Sequence, residues 1–237
     1  MGSIQRADRT RRCLAEMLGT YLLVFLGPGS IVLVAYLGFP AAGSLVFVAG
    51  VFGGTVAGVI LLLGRFSGAN INPAVTIGST VAGTSRRGLL LPYLAFQASG
   101  AILAGLTLRA VFGNLASSAS LGSTKLAAGI SPTEGAALEV VGTFLLVASA
   151  LVAGSFLTSP GRQAILVGGT LFLLILLIGP LTGGSFNPAR SLGPSLFSGY
   201  FRDQLVYYVG PVLGGFCAGL AFQAAMKLHG KGDERTG

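Results

Sequence analysis

Two stretches decide how this chain folds: Gly68-Ala69-Asn70-Ile71-Asn72-Pro73-Ala74 and Gly183-Gly184-Ser185-Phe186-Asn187-Pro188-Ala189. Each places the tripeptide Asn-Pro-Ala behind a run that contains glycine. Asn is a strong N-cap, because its side-chain oxygen accepts from backbone N–H groups in the first helical turn. Pro is favoured at the first helical position, where its missing N–H is not needed. Asn72 and Asn187 therefore predict two helix starts, with Pro73, Ala74, Pro188 and Ala189 as the opening helical residues. Both helices are expected to be short, since Gly83 ends the first and Gly193-Pro194 interrupts the second. Neither can cross a bilayer alone, so both are expected to be half-spans.

The frame around them is apolar. Of 237 residues, 52% are hydrophobic and 9% charged, where a soluble domain carries roughly a quarter charged residues. Six stretches have the length of about 20 residues that a bilayer demands. They run from Cys13 to Tyr36, Gly43 to Leu63, Gly88 to Phe112, Thr133 to Ala153, Gln163 to Leu181 and Gln204 to Met226. A polar connection from Asn114 to Ser131 separates the third from the fourth. The segment Ala15-Glu16-Met17-Leu18-Gly19-Thr20-Tyr21-Leu22-Leu23-Val24 matches Leu138-Glu139-Val140-Val141-Gly142-Thr143-Phe144-Leu145-Leu146-Val147 at Glu, Gly, Thr, Leu, Leu and Val. The Asn-Pro-Ala stretches then recur after the second span of each half. Three spans per copy make the second copy enter from the opposite face, so the repeat is inverted. The expected fold is an all-α membrane protein: six transmembrane helices and two re-entrant half-helices in an inverted 3+3 repeat. One domain covers 1–237, with a first repeat at 13–115 and a second at 133–228.

The formal charge of +8 does not indicate a nucleic-acid partner, because the basic residues hug the ends of apolar spans. With the N- and C-termini in the cytoplasm, eleven Lys/Arg lie inside: Arg6, Arg9, Arg11, Arg12, Arg65, Arg86, Arg87, Arg162, Lys227, Lys231 and Arg235. Four lie outside: Arg109, Lys125, Arg190 and Arg202. That asymmetry sets the orientation. Cys13 and Cys217 form no framework or metal cluster, and no nucleophile–base set or phosphate loop is visible. No metal, cofactor or enzymatic activity is expected.

If the two short helices meet near the midplane, each capping Asn keeps its NH₂ free to donate into the lumen. Two such donors can hold the oxygen of a passing water. Each helix N-terminus carries about half a positive charge and repels cations. Irregular backbone before each Asn is tolerated at membrane depth where it lines a cavity.

Through Ser67-Gly68-Ala69-Asn70-Ile71-Asn72-Pro73-Ala74-Val75-Thr76 and Gly183-Gly184-Ser185-Phe186-Asn187-Pro188-Ala189-Arg190-Ser191 the chain resembles the aquaporin (major intrinsic protein) family over nearly its whole length. The resemblance implies a homotetramer with a pore in each subunit. It implies that Glu16 and Glu139 accept hydrogen bonds from the re-entrant loops, and that Arg190 stands at the narrowest constriction. By family spacing the other filter members are Phe52, Ile175 and Gly184, which lie twenty residues before Asn72 and twelve and three before Asn187. Strict water channels resembling this one usually carry His where Ile175 stands and a larger residue at Gly184, so a widened filter is implied. Ser191 stands where dedicated glycerol facilitators usually have Asp. Arg65 occupies a site near the cytoplasmic mouth where many relatives have His. Water is the expected substrate, with glycerol, urea, ammonia or gases as the alternative. A coupled transporter is a reading of a different class, with Glu16 and Glu139 as its ion-coupling candidates.

Overall fold

The computed structural model describes residues 3–113 and 119–233. Asn114 and Arg235, and the side chain of Lys231, lie outside the described residues. The long helices are α1 (Ser3–Leu37), α2 (Ala41–Ser67), α4 (Leu90–Phe112), α5 (Pro132–Phe156), α6 (Pro160–Leu177) and α9 (Gln204–Asp233). The short ones are α3 (Pro73–Ala82), α7 (Gly179–Thr182) and α8 (Pro188–Ser198). Six helices are long and apolar enough to cross a membrane. Their outward faces are apolar: Leu62 is 65% exposed, and Ile165 and Leu205 are each 76% exposed. Water does not favour a belt of such residues, whereas lipid does. The chain is an integral membrane protein.

Local signals account for the short helices. Asn72 and Asn187 cap α3 and α8 with extended backbone, and each is followed by Pro at the first turn. Gly83 and Gly199 end the two helices in the left-handed conformation. Two expectations need correction. Gly193-Pro194 does not interrupt α8, which continues through Pro194 to Ser198. A proline forfeits one i→i−4 bond, yet the helix carries it, and Gly193 beside it packs closely on the Ala101 carbonyl of α4. The fifth span does not continue to Leu181. It ends at Leu177 and resumes as the single turn α7, where Gly179-Pro180 cannot continue the ladder.

Packing follows a two-fold plan. Helix α1 packs on α2 and α4, as α5 packs on α6 and α9. Helix α3 packs on α9 of the other half, as α8 packs on α4. Helices α2 and α6 cross each other, and the crossing is its own counterpart. A Cβ built on Gly53 would fall 2.6 Å from the Gly168 carbonyl oxygen, and one on Gly168 the same 2.6 Å from the Gly53 carbonyl oxygen. Only glycine at both positions allows that approach. The same correspondence appears at Gly100, which lies against the backbone of Met17 and Tyr21, and at Gly214, which lies against Val140 and Phe144. These are matched residues of the aligned halves.

Candidate functional site: two helix starts meeting at one cavity

The loops that deliver the helix starts have unusual backbone at matched positions. Gly68, Ala69 and Ile71 have φ of +91°, +52° and +45°; Gly183, Gly184 and Phe186 have +79°, +60° and +51°. Left-handed backbone costs a non-glycine residue about 1–2 kcal/mol, so the two loops, with Ala69, Ile71 and Phe186 in that conformation, need external support. Two buried carboxylates supply it. Glu16 accepts from the N–H groups of Asn70 (3.0 Å) and Ile71 (2.6 Å). Glu139 accepts from those of Ser185 (3.0 Å) and Phe186 (2.7 Å). Neither carboxylate has solvent exposure. Gln97 donates to Glu16 at 2.8 Å and the Thr182 hydroxyl donates to Glu139 at 2.8 Å, completing each set.

The asparagines sit where the loops meet. Asn72 Oδ1 accepts from the Ala74 N–H at 2.8 Å, and Asn187 Oδ1 from that of Ala189 at 2.9 Å and of Arg190 at 3.4 Å. The expectation that both NH₂ groups are wholly free for the lumen is corrected. Asn72 Nδ2 donates to the Phe186 carbonyl at 2.8 Å, and Asn187 Nδ2 donates to the Ile71 carbonyl at 3.1 Å. Each cap is thus bolted to the opposite loop through the residue before the opposite Asn. An amide NH₂ has two protons, so one donor per Asn remains. Both asparagines line a single cavity of about 370 Å³, whose wall also includes Phe52, Arg190, Arg12 and Arg86.

Arg190 is 1% exposed. Its Nη1 donates to the Gly122 carbonyl at 2.7 Å, and its guanidinium carbon lies 5.0 Å from the centroid of the Phe52 ring. That separation is a cation–π contact. Its Nε has no partner among the described residues. Phe52 and Arg190 therefore come together on the cavity wall. Ile175 and Gly184 come together too, since a Cβ on Gly184 would lie 3.5 Å from Ile175 Cγ1, but neither is on that wall. Gly184 is also a left-handed residue of the loop, a backbone demand that filter spacing alone did not reveal. Arg65 is exposed and stacks on Phe66 at 4.6 Å, away from the cavity. The other arginines on the wall are Arg12, which pairs with Asp8 at 2.7 Å, and Arg86.

Several supporting residues escaped the sequence reading. Gln97 bridges Glu16 to Thr76 Oγ1 (2.9 Å), and Tyr93 donates to the Ser67 carbonyl (2.9 Å). A polar amide inside an apolar span is itself a signal that could have marked Gln97. Nothing local marked Gly122, whose role depends on a fold-back of the connection between the halves. Cys13 and Cys217 are both free. Among the described residues no three His, Cys, Asp or Glu gather as a metal site.

Comparison with known proteins agrees with this architecture. The family model "Major intrinsic protein" matches residues 3–222. Aquaporin TIP2-1 of Arabidopsis thaliana is 36% identical over 222 residues, covering 90% of this chain and 86% of that protein. Aquaporin AqpM of Methanothermobacter marburgensis is 33% identical over 237 residues, covering 90% of this chain and 96% of that protein. The crystal structure of the aquaglyceroporin from Plasmodium falciparum superposes with a TM-score of 0.79 at 23% identity, covering 91% of this chain and 94% of that one. With the paired Asn-Pro-Ala helices, the carboxylate-braced loops and these matches together, the chain belongs to the major intrinsic protein (aquaporin) family.

Proposed function

We propose that this chain is a passive pore for water, with small neutral solutes as additional substrates, and that the conduit is the cavity between the two half-helices. The observation that carries the reading is the reciprocal capping of Asn72 and Asn187, each bonded to the other's loop while facing the same cavity. One remaining N–H on each amide can donate to a water oxygen. The two helix N-termini together present about one positive charge there and oppose cation entry, the device of aquaporin-type pores. Arg190 over Phe52 is the second barrier, a fixed cation whose remaining N–H groups can donate to a neutral permeant. Leu23, Val56, Leu146 and Val167 supply apolar wall that binds water weakly and lets it leave. Ile175 and Gly184, which family spacing assigns to the filter, carry no polar side chain, which supports passage of solutes larger or less polar than water.

The carboxylates a coupled transporter would titrate, Glu16 and Glu139, are off the cavity wall and saturated with loop donors. That supports a channel over a transporter. Repeat units at 13–115 and 133–228, a homotetrameric assembly and cytoplasmic termini complete the reading. Exposed Gly50 and Gly54 and half-buried Gly58 on α2, with open space beside each, support close approach by another helix in lipid.

Stopped-flow light scattering on proteoliposomes is the test. Fast osmotic shrinkage, glycerol or urea entry above lipid background, and no proton current are expected. Shrinkage no faster than empty liposomes overturns the proposal.

A further inference from the structure

The connection between the two halves reaches the second half-helix through a buried hydroxyl. Thr124 Oγ1 lies 3.0 Å from Ser191 Oγ, Ser191 Oγ lies 2.7 Å from Ser185 Oγ, and Ser185 Oγ donates to the Asn187 carbonyl at 3.0 Å. A hydroxyl owns one proton and two acceptor lone pairs, so the last bond sets the sense of the others. Ser185 spends its proton on Asn187 and must accept from Ser191. Ser191 spends its proton on Ser185 and must accept from Thr124. The chain therefore runs one way, from Thr124 to Ser191 to Ser185 to the Asn187 carbonyl. That carbonyl also accepts from the Ser191 N–H at 3.3 Å, so both its lone pairs are filled. Thr124 and Ser191 have no exposure, so water does not compete at that bond, and Ser185, at the edge of the cavity, is only 3% exposed.

The first half reaches the same end with different residues. Thr76, the counterpart of Ser191, donates to the Asn72 carbonyl at 3.0 Å. It accepts from Asn70 Nδ2 at 3.3 Å and from Gln97 Nε2 at 2.9 Å. Gln97 belongs to α4 and lies three residues before Gly100. Three residues before Gly214, the counterpart of Gly100 in α9, stands Pro211, which has no donor to offer. The missing donor comes from Thr124 instead, two residues beyond the Gly122 carbonyl that holds Arg190.

We propose that Thr124 is a positioning residue for selectivity: through Ser191 and Ser185 it holds the Asn187 carbonyl and the first turn of α8, and so aims Arg190. The extracellular connection, and not the membrane frame alone, thereby sets the second barrier of the pore. The proposal rests on the channel reading above.

The test compares the parent protein with Thr124→Val, which keeps the shape but has no hydroxyl proton, and with Thr124→Ser, which restores it. Osmotic water flux and proton leak are read on the same proteoliposomes, and amide exchange of residues 183–191 is read by mass spectrometry. Thr124→Val is expected to raise the ratio of proton leak to water flux, and the amide exchange rate, by about fivefold, the factor of one buried hydrogen bond. Thr124→Ser is expected to return both to parent values. Adding Ser191→Ala to Thr124→Val is expected to change little further, because both act on one relay. An unchanged ratio in Thr124→Val, failure of Thr124→Ser to restore it, or fully additive effects would each overturn the relay. A parent protein without water flux would overturn the channel reading instead, and the exchange rates would still decide whether Thr124 holds the turn.

Discussion

At the scale of single residues, the site is governed by which hydrogen-bonding capacity is spent and which is left. Asn72 and Asn187 spend their oxygens on their own helices and one N–H each on the opposite loop. What remains for a permeant is one donor apiece, fixed in direction by the bonds that hold the amides. Arg190 is similar: one N–H goes to Gly122 and the guanidinium lies against Phe52. Replacing Arg190 with Val removes the fixed cation while leaving an apolar side chain of moderate size. Cation leak through Arg190→Val is expected to rise by about tenfold, which corresponds to about 1.4 kcal/mol of lost barrier. Water flux should be retained or increased. The measurement is reversal current across a planar bilayer alongside osmotic flux, and a variant as tight to ions as the parent would remove Arg190 from the filter.

At the scale of elements, two left-handed loops are held by one carboxylate each, and two spans cross at a pair of glycines. Glu139 accepts from the hydroxyl of Thr182 and the N–H groups of Ser185 and Phe186. In Glu139→Gln an NH₂ must face one or more of these donors, leaving buried donors unpaired at about 1–3 kcal/mol each. Lower thermal stability in detergent and loss of water flux together are expected, since the loop carries Asn187. Stability and flux equal to the parent would show that the carboxylate is dispensable. At the α2–α6 crossing, Gly53→Leu would drive a side chain into the Gly168 carbonyl, where even a Cβ falls at 2.6 Å. Overpacking of this kind costs about 1–3 kcal/mol or more. A lowered melting temperature in detergent is the expected outcome, and Gly54→Leu on the open side of the same helix is the control that should leave subunit stability intact.

At the scale of the whole molecule, the outer surface divides into bulky apolar belts and a smooth strip on α2 at Gly50, Gly54 and Gly58. Bulky residues suit lipid chains, while a strip without side chains lets another helix backbone approach. Gly54→Leu is therefore expected to weaken assembly and leave the fold of each subunit unchanged. Cross-linking in native membranes should shift from the proposed tetramer toward monomer, whereas an unchanged ladder would assign the strip to lipid. The interior shows the opposite polarity. Glu16, Gln97, Glu139 and Arg190 are all essentially unexposed, yet each has partners on a different segment of chain. Glu16 and Gln97 find their partners within the first half and Glu139 within the second, while Asn72 and Asn187 bond across the two.

The sequence alone determined that there are six spans, the inverted repeat and the two helix starts, because hydropathy, spacing and Asn-Pro capping act over a few residues. It also matched Glu16 with Glu139, since those positions align between the halves. It did not reveal that α8 runs through Pro194, where Gly193 packs closely on α4. Nor did it reveal the second duty of Gly184 as a left-handed loop residue, the cross-bonding of the asparagines, or the reach of Gly122 and Thr124 to the second half-helix. Each of these joins atoms far apart along the chain. A hydrogen bond depends on distance and direction, and only the tertiary packing of the two halves brings those donors and acceptors within about 3 Å of one another.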